Sequence, residues 1–343
     1  MATRIQVWRD RLKHDPVVSL VNCAYPAIKY YARRDLLGEV VEPIQSLWGL
    51  PDPKKLLRNQ RGDGSWTVSP SYSKKYPDVN YPLIESFRHL RELVGKYEFD
   101  GSHPQIAAAA EFVFTCQSTE GDIRGFYVDQ YAPHYTGLYV ELLTRAGYGD
   151  DPRIDKAIRW LVDHRQGDGG WLYPPLGVKM SWTDEVYISC HHAEPVPFNT
   201  AHISSHNATG MALRGLACHP SYAHTLEAKT AGDFLTSRFF QKDFYTSYEA
   251  ADYWVRFIYP WWWNNLIMAL DSLYRIGFTS DHPKVRKGLE WLIEHQSPDG
   301  LWENSYKKGA KKYDTESAAE GKLWVSLAIC RVLKNFEKTD RGY

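Results

Sequence analysis

The segment Asn59-Gln60-Arg61-Gly62-Asp63-Gly64-Ser65-Trp66 joins a glutamine to a tryptophan through a turn of glycine and aspartate. The pattern recurs in clear form at 166–171 and 296–302, stretched at 117–126 and degraded at 241–245. Successive glutamines lie 57, 49, 75 and 55 residues apart, which predicts structural repeats of about 50 residues. Glycine permits positive φ, and the polar side chains can bond freed backbone groups, so we interpret the turn as a stability device.

Two kinds of helical segment alternate between these turns. Amphipathic segments begin with proline after a polar residue and run up to the glutamine. Clear examples are 103–116, 151–164 and 282–295. Segments that are apolar on more than one side belong inside: 25–37, 80–94, 133–146, 199–217, 260–276 and 316–333. With residues 1–13 as a candidate sixth outer helix, the pattern predicts an all-α protein, an (α/α)6 toroid of about six helical hairpins.

Composition excludes several classes of protein. Lys+Arg and Asp+Glu both total 41 among 343 residues, so no basic surface for nucleic acid is expected. Five cysteines without CxxC spacing indicate reduced thiols and no disulfide framework. Residues 1–13 lack the apolar core of a secretory signal, and no apolar run is long enough to span a membrane. We therefore predict a cytoplasmic protein.

The phrases at Gln60, Gln166 and Gln296 resemble the QW repeats of squalene and oxidosqualene cyclases. The helical layout is similar to the α/α toroid that these cyclases share with the β-subunits of protein prenyltransferases. The resemblance implies one toroid domain over residues 1–343, whereas cyclases that protonate polyenes have two such domains. The Asp-x-Asp-Asp motif that protonates the alkene is absent, and Asp314 is a candidate either for an acid or for a helix cap.

The interval between Gln166 and Gln241 exceeds one repeat and predicts an extra loop at about 172–198. This loop carries histidine, cysteine and acidic residues, and it leads into an inner helix. On that helix His202 and His206 are expected one turn apart on the same face, a spacing that suits zinc. The predicted metal ligands are Cys190, His192, His202 and His206, with His191, Asp184 and Glu185 as alternatives.

Acid/base chemistry without a metal is the competing interpretation, because histidine titrates near neutral pH. The predicted catalytic residues are His202, His206, His191, Asp184 and Tyr135. The predicted substrate contacts are Trp261, Trp262, Trp263, His134, Asn199, Asn207 and Tyr259. Three successive tryptophans are also consistent with core packing; a ring that faces a cavity would stabilise a carbocation or stack on a sugar.

These features favour an enzyme that holds a mostly apolar small molecule, an isoprenoid being one candidate, in the barrel cavity. The expected chemistry is cyclisation, isomerisation, or hydration and dehydration, by acid/base or zinc-assisted catalysis. A polysaccharide lyase or hydrolase is the alternative enzyme, supported by Tyr72, Tyr76 and Tyr81, and a non-catalytic binding or scaffold toroid is the third interpretation. No nucleotide cofactor is expected, because phosphate-binding motifs are absent. The oligomeric state stays open.

Overall fold

A computed structural model describes residues 7–68, 74–245, 254–305 and 316–339. The α-helices in these ranges are α1 Val7–Asp10, α2 Val17–Asn22, α3 Pro26–Tyr31, α4 Pro51–Arg58, α5 Tyr81–Tyr97, α6 Pro104–Thr115, α7 Pro133–Leu143, α8 Pro152–Asp163, α9 Pro174–Gly177, α10 Trp182–Cys190, α11 His206–Cys218, α12 Leu226–Ser237, α13 Leu266–Arg275, α14 Pro283–Glu294 and α15 Glu316–Thr339. A 3-10 turn occupies Ile44–Leu47, and π-helical turns follow α3 (Ala32–Leu37) and α7 (Thr144–Tyr148). The prediction of an all-α protein is confirmed for the described residues.

The chain forms two compact units. The terminal unit comprises Met1–Pro43, Phe239–Gln241 and Glu249–Tyr343, and the central unit comprises Ile44–Arg238 and Lys242–Tyr248. In the central unit, α7 packs along α11, and both are buried on nearly every side. By contrast, α8 buries only the stripe that contains Ile154, Ile158 and Leu161. The burial of α7 and α11 thus matches that predicted for inner helices, and the burial of α8 matches that predicted for an outer helix.

Three predicted outer helices are observed as α6, α8 and α14, each with proline in its first turn. Two inner helices begin later than predicted. The segment 199–217 becomes helical only at His206, and the segment 260–276 only at Leu266. In both cases a polar side chain caps the helix, since Ser205 accepts from the Ala208 N–H and Asn265 accepts from the Met268 N–H.

The N-terminal prediction also needs correction. Within the described part of 1–13, only Val7–Asp10 is helical, and the longer helix α2 follows it at Val17. The extra loop at about 172–198 contains the two short helices α9 and α10. No side chain of α10 is buried, so this helix lies on the surface of the central unit.

The Gln-to-Trp turns share one hydrogen-bond pattern at their tryptophans. Each indole Nε1–H donates to the carbonyl ten residues earlier: Trp66 to Leu56 at 2.8 Å, Trp171 to Leu161 at 2.8 Å and Trp302 to Leu292 at 2.6 Å. These carbonyls belong to the last turns of α4, α8 and α14, where helical partners are missing. The tryptophan therefore satisfies the end of the outer helix while its ring fills the core.

Three of the turn glutamines bridge two segments of the chain. The Nε2 group of Gln117 donates to Gly121 O in its own turn and to Arg153 O at the start of α8, both at 2.8 Å. Gln60 makes the same pair of bonds to Gly64 O and Gln105 O, and Gln296 to Gly300 O and His14 O. In these three turns the glutamine thus ties its own turn to a second segment.

Replacing Gln117 with methionine is expected to lower the free energy of unfolding by about 1–3 kcal/mol, because two part-buried carbonyls lose their donor. Urea denaturation at neutral pH measures the change. Gln45→Met is the matched control, because Gln45 is exposed and its stability should stay within about 0.5 kcal/mol of the parent protein. Equal effects of the two substitutions would contradict the bridging role.

None of the helices in the described ranges combines the length and the apolar character that crossing a bilayer requires.

Candidate functional site

The central unit contains a pocket of about 240 Å³ that opens to solvent and is lined mostly by half-buried side chains; we call it the cavity. Four aromatic side chains form much of its wall: Tyr76, Tyr81, Phe126 and Tyr127. Helix α10 contributes the polar groups of Glu185, Ser189 and Cys190. The cavity therefore combines an aromatic wall with a carboxyl group, a hydroxyl and a thiol.

The turn before α7 places the wall residues. Val128 adopts φ 55°, a left-handed conformation that a β-branched residue rarely takes. It forms an isolated bridge with Gly125, whose carbonyl accepts from the Asn80 N–H at 3.2 Å. The turn is thus tied to the start of α5 and holds Tyr127 in the cavity wall. Strained backbone of this kind often accompanies functional sites.

An aromatic cluster lies behind the wall. The Tyr135 ring stacks on Phe126 with centroids 3.6 Å apart, and Tyr127 lies 4.5 Å from the Tyr173 ring. The Tyr173 hydroxyl is 2.8 Å from the Ser189 hydroxyl, which links the cluster to α10. Burial is the largest cause that raises the pKa of Tyr127 well above its ordinary value, and it also raises the pKa of Tyr173. Both phenols therefore remain protonated at neutral pH.

His134, a predicted substrate contact, belongs to this cluster. Its ring centroid is 4.6 Å from that of Tyr135 and 5.8 Å from that of Tyr127. The side chain is buried, and Nδ1 has no hydrogen-bond partner in the described structure. Burial lowers the pKa of His134 to about 3, so the imidazole is neutral at physiological pH. The predicted catalytic residue Tyr135 is likewise buried.

Two consecutive histidines follow α10, and each pairs with an aspartate of a different segment. His191 Nδ1 lies 3.1 Å from Asp78 Oδ2, and His192 Nδ1 lies 3.0 Å from Asp129 Oδ2. Asp129 also accepts from the Ala193 N–H. The hydrogen bond with Asp129 is the main cause that raises the pKa of the exposed His192. The two pairs attach the end of α10 beside the cavity.

Cys190 and Asp184 take different positions on α10. Cys190 lines the cavity, and burial raises the pKa of its thiol, which is therefore protonated at neutral pH. Asp184 is exposed and accepts from the Ser181 hydroxyl at 2.7 Å, in the first turn of the helix. The structure thus places the predicted catalytic residue Asp184 outside the cavity lining, whereas its neighbour Glu185 is within it.

His202 and His206 do not share a helix face, because α11 begins at His206. Side-chain hydrogen bonds keep the preceding residues out of the helix, because Ser204 donates to Asp168 through both its N–H and its hydroxyl. His202 precedes the helix, with Nε2 3.2 Å from the Asn199 amide nitrogen. The prediction of a two-histidine face was therefore wrong.

His206 belongs to a second buried network. Its Nε2 lies 3.6 Å from Asp243 Oδ2, and that carboxylate accepts hydrogen bonds from the Ser205 hydroxyl and the Asn207 N–H. Asp243 follows the degraded turn at Gln241 and binds the first residues of α11. The arrangement holds the start of an inner helix, and neither His206 nor Asn207 is among the residues that line the cavity.

The predicted zinc ligands are not brought together. Among the described residues, no three His, Cys, Asp or Glu side chains are placed to hold a metal ion. The imidazoles of His192 and His206 are instead directed to Asp129 and Asp243. The donor set therefore does not fit the zinc centre that the sequence suggested.

The tryptophan run lies in the terminal unit and precedes α13. The Tyr259 ring stacks on Trp324 at 5.0 Å, and Trp261 meets Tyr259 edge to face at 5.4 Å. Trp262 and Trp263 lie 6.2 Å apart, and Trp263 is 47% exposed. These contacts give Tyr259 and Trp261 packing partners, and their role as substrate contacts stays a prediction. The candidate residues Asp314 and Tyr72 lie outside the described ranges.

The sequence predicts part of this site. The predicted residues Cys190, His191, His134 and Tyr135 lie in the lining or beside it, and Glu185, an alternative metal ligand in the sequence, also lines the cavity. The sequence prediction missed the wall residues Phe126 and Tyr127. Their position in the sequence could have indicated them, because they lie in a turn shortly before α7. That turn lies next to the start of α5.

No family model matches the chain, and no curated protein matches it. A protein from Actinoplanes of known structure is 14% identical, with a TM-score of 0.44, over 94% of this chain and 89% of that chain. A type II terpene cyclase from Scytonema in its apo form is 13% identical, with a TM-score of 0.30, over 88% of this chain and 99% of that chain. A variant of that cyclase in complex with its product, merosterolic acid A, is 13% identical, with a TM-score of 0.31 over 93% of this chain and 99% of that chain. All three TM-scores lie below 0.5, so these likenesses assign no function to this chain.

Proposed function

We propose that the central cavity binds a mostly apolar small molecule, with an isoprenoid as the first candidate, and that the protein transforms it by acid/base chemistry. The observation that carries the proposal is a cavity whose lining contains four aromatic side chains and one carboxyl group, that of Glu185. Its volume of about 240 Å³ is roughly eight times the ~30 Å³ share of a liquid water molecule. A substrate of about five to ten carbon atoms fits this size.

Glu185 is the residue that we assign to proton transfer. In a hydration, its carboxyl proton adds to one alkene carbon, water adds to the other carbon, and the oxonium proton returns to the carboxylate. The aromatic walls stabilise the intermediate positive charge through their ring faces. Isomerisation and cyclisation use the same first step and end with loss of a proton from carbon. Proton transfer by a positioned side chain typically contributes 10²–10⁴-fold to the rate.

The test is turnover of five- to ten-carbon isoprenoid alcohols in D₂O, with products analysed by mass spectrometry. Protonation at carbon introduces deuterium into the product. Glu185→Gln is expected to lower turnover by about 100-fold or more, because the amide cannot supply the proton. Asp184→Asn is the matched control, since it removes the adjacent, exposed carboxylate and should leave turnover within about twofold. Absence of deuterated product from the whole series, or full activity of Glu185→Gln, would refute the assignment.

We further propose that the helical hairpins belong to an α/α toroid, in keeping with the regular Gln-to-Trp turns. The cytoplasmic location stays a prediction from the cysteine usage.

A further inference from the structure

The charge distribution of the cavity is unusual for a site that would receive only a neutral apolar molecule. Among the described residues that line it, Glu185 is the one carboxylate, and no lysine or arginine lines it. Burial is the first cause that raises the pKa of Tyr81, Tyr127 and Cys190, so these groups stay neutral at physiological pH. The one group of the lining that can carry charge at neutral pH is therefore the Glu185 carboxyl, which is negative in its ionised form. The cation site uses this ionised form, whereas the proton transfer proposed above uses the protonated form.

The rings around this carboxylate present the surface that cations prefer. Aromatic faces attract ammonium groups, and groups of aromatic rings recognise quaternary ammonium ligands. The wall residue Tyr76 already contacts a cation, because the Lys75 ammonium lies 4.9 Å from the centre of the Tyr76 ring. Lys75 is exposed and is not part of the lining. Its positive charge opposes a second cation nearby, whereas the Asp78 carboxylate, close to the lining residues Tyr76 and Val79 in sequence, adds negative charge.

We propose that this cavity is a binding site for a small organic cation, a quaternary or tertiary ammonium compound, whose charge is held between the Glu185 carboxylate and the rings of Tyr76, Tyr81, Phe126 and Tyr127. The inference rests on the proposed function only in using the same cavity. It adds the chemical class of the ligand, because the site is proposed to bind a cation more tightly than a neutral molecule of the same shape. An ammonium ligand of about seven to ten non-hydrogen atoms fits the volume.

The size and charge requirements suggest a matched pair of probes. Choline and 3,3-dimethylbutan-1-ol have nearly the same shape, and the alcohol has a neutral carbon where choline has its charged nitrogen. Their dissociation constants are measured by isothermal titration calorimetry or ligand-observed NMR at fixed ionic strength. Choline is expected to bind at least tenfold more tightly than the neutral alcohol. Equal affinities, or no binding of choline at millimolar concentration, would overturn the proposal.

Four variants assign the preference to the cavity. Glu185→Gln is expected to reduce the preference for choline to less than threefold while leaving the neutral alcohol unaffected. Asp184→Asn makes the same charge change outside the lining and should retain the preference. An equal loss in both variants would assign the effect to general surface charge and overturn the site. Tyr76→Leu should weaken choline binding several-fold, whereas Tyr76→Phe keeps the ring and the affinity.

Folding of each variant is checked by circular dichroism, and the comparison of the two probes on the unaltered protein stands without any variant. The result is also separable from the proposed catalysis. Choline preference without deuterium incorporation leaves the cation site intact and removes the isoprenoid chemistry. Deuterium incorporation without choline preference does the reverse.

Discussion

Gly137→Ala is expected to lower the free energy of unfolding by about 3 kcal/mol or more, the upper range for overpacking in a well-packed core. Gly137 lies in α7 at its contact with α11. A Cβ atom at this position would lie 2.5 Å from Ala212 Cα and 2.7 Å from Ala212 O. Both contacts are to backbone atoms, so no side-chain rotation relieves them. The helices must separate, and the surrounding core loses its contacts.

The close approach is reciprocal. A Cβ atom on Gly215 of α11 would lie 2.7 Å from Gly137 O. The two helices therefore meet through small residues on both sides, and α7 is held at a fixed distance and angle. Since α7 carries His134 and Tyr135, this contact also positions the aromatic cluster behind the cavity.

Gly95→Ala provides the matched control, because it makes the same chemical change inside another inner helix, α5. No atom lies within 4 Å of a Cβ atom at Gly95. Alanine is therefore expected to increase the free energy of unfolding by about 0.5–1 kcal/mol through its higher helix propensity. Urea denaturation of the three proteins at pH 7 measures both effects. A Gly137→Ala variant as stable as Gly95→Ala would contradict the assigned helix contact.

The sequence predicts those parts of the fold that local patterns determine. The outer helices α6, α8 and α14 each show a proline in the first turn and an amphipathic stripe, and both signals lie within one segment. The Gln-to-Trp turn is predictable for the same reason, since its tryptophan bonds a carbonyl only ten residues away, as in Trp171 to Leu161. Such short-range patterns are readable without knowing the rest of the structure.

Long-range contacts account for the errors. The start of α11 depends on Asp168 and Asp243, which bond Ser204 and Ser205 from other segments of the chain. Periodicity alone extends the helix back to Asn199. The cavity wall is equally non-local, because Tyr127 and Glu185 lie 58 residues apart in sequence. The sequence indicated individual candidate residues, such as Cys190 and Tyr135, but their pairing required the fold.

His134 should make the protein sensitive to acid. Burial lowers its pKa from 6.5 to about 3 in the folded state, while in the unfolded chain it stays near 6.5. Below pH 6.5 the unfolded state therefore binds a proton that the folded state does not, and stability falls as the pH falls. The loss from this residue reaches about 3 kcal/mol at pH 4.5 and about 4 kcal/mol at pH 3, at up to 1.36 kcal/mol for each unit of pH. Above pH 6.5 the residue has no effect on the pH dependence.

His134→Phe keeps a ring in the aromatic cluster and removes the titration, so it should flatten the stability profile between pH 6.5 and pH 4.5. The measured quantity is the difference in unfolding free energy between pH 7 and pH 4.5, which cancels any change that phenylalanine makes at neutral pH. His224→Gln is the control, because His224 is exposed and its replacement should leave the profile unchanged. If His134→Phe loses as much stability in acid as the parent protein, then the His134 imidazole is already protonated or reaches water in the folded state. In that case the aromatic cluster behind the cavity is not the dry environment that its burial implies.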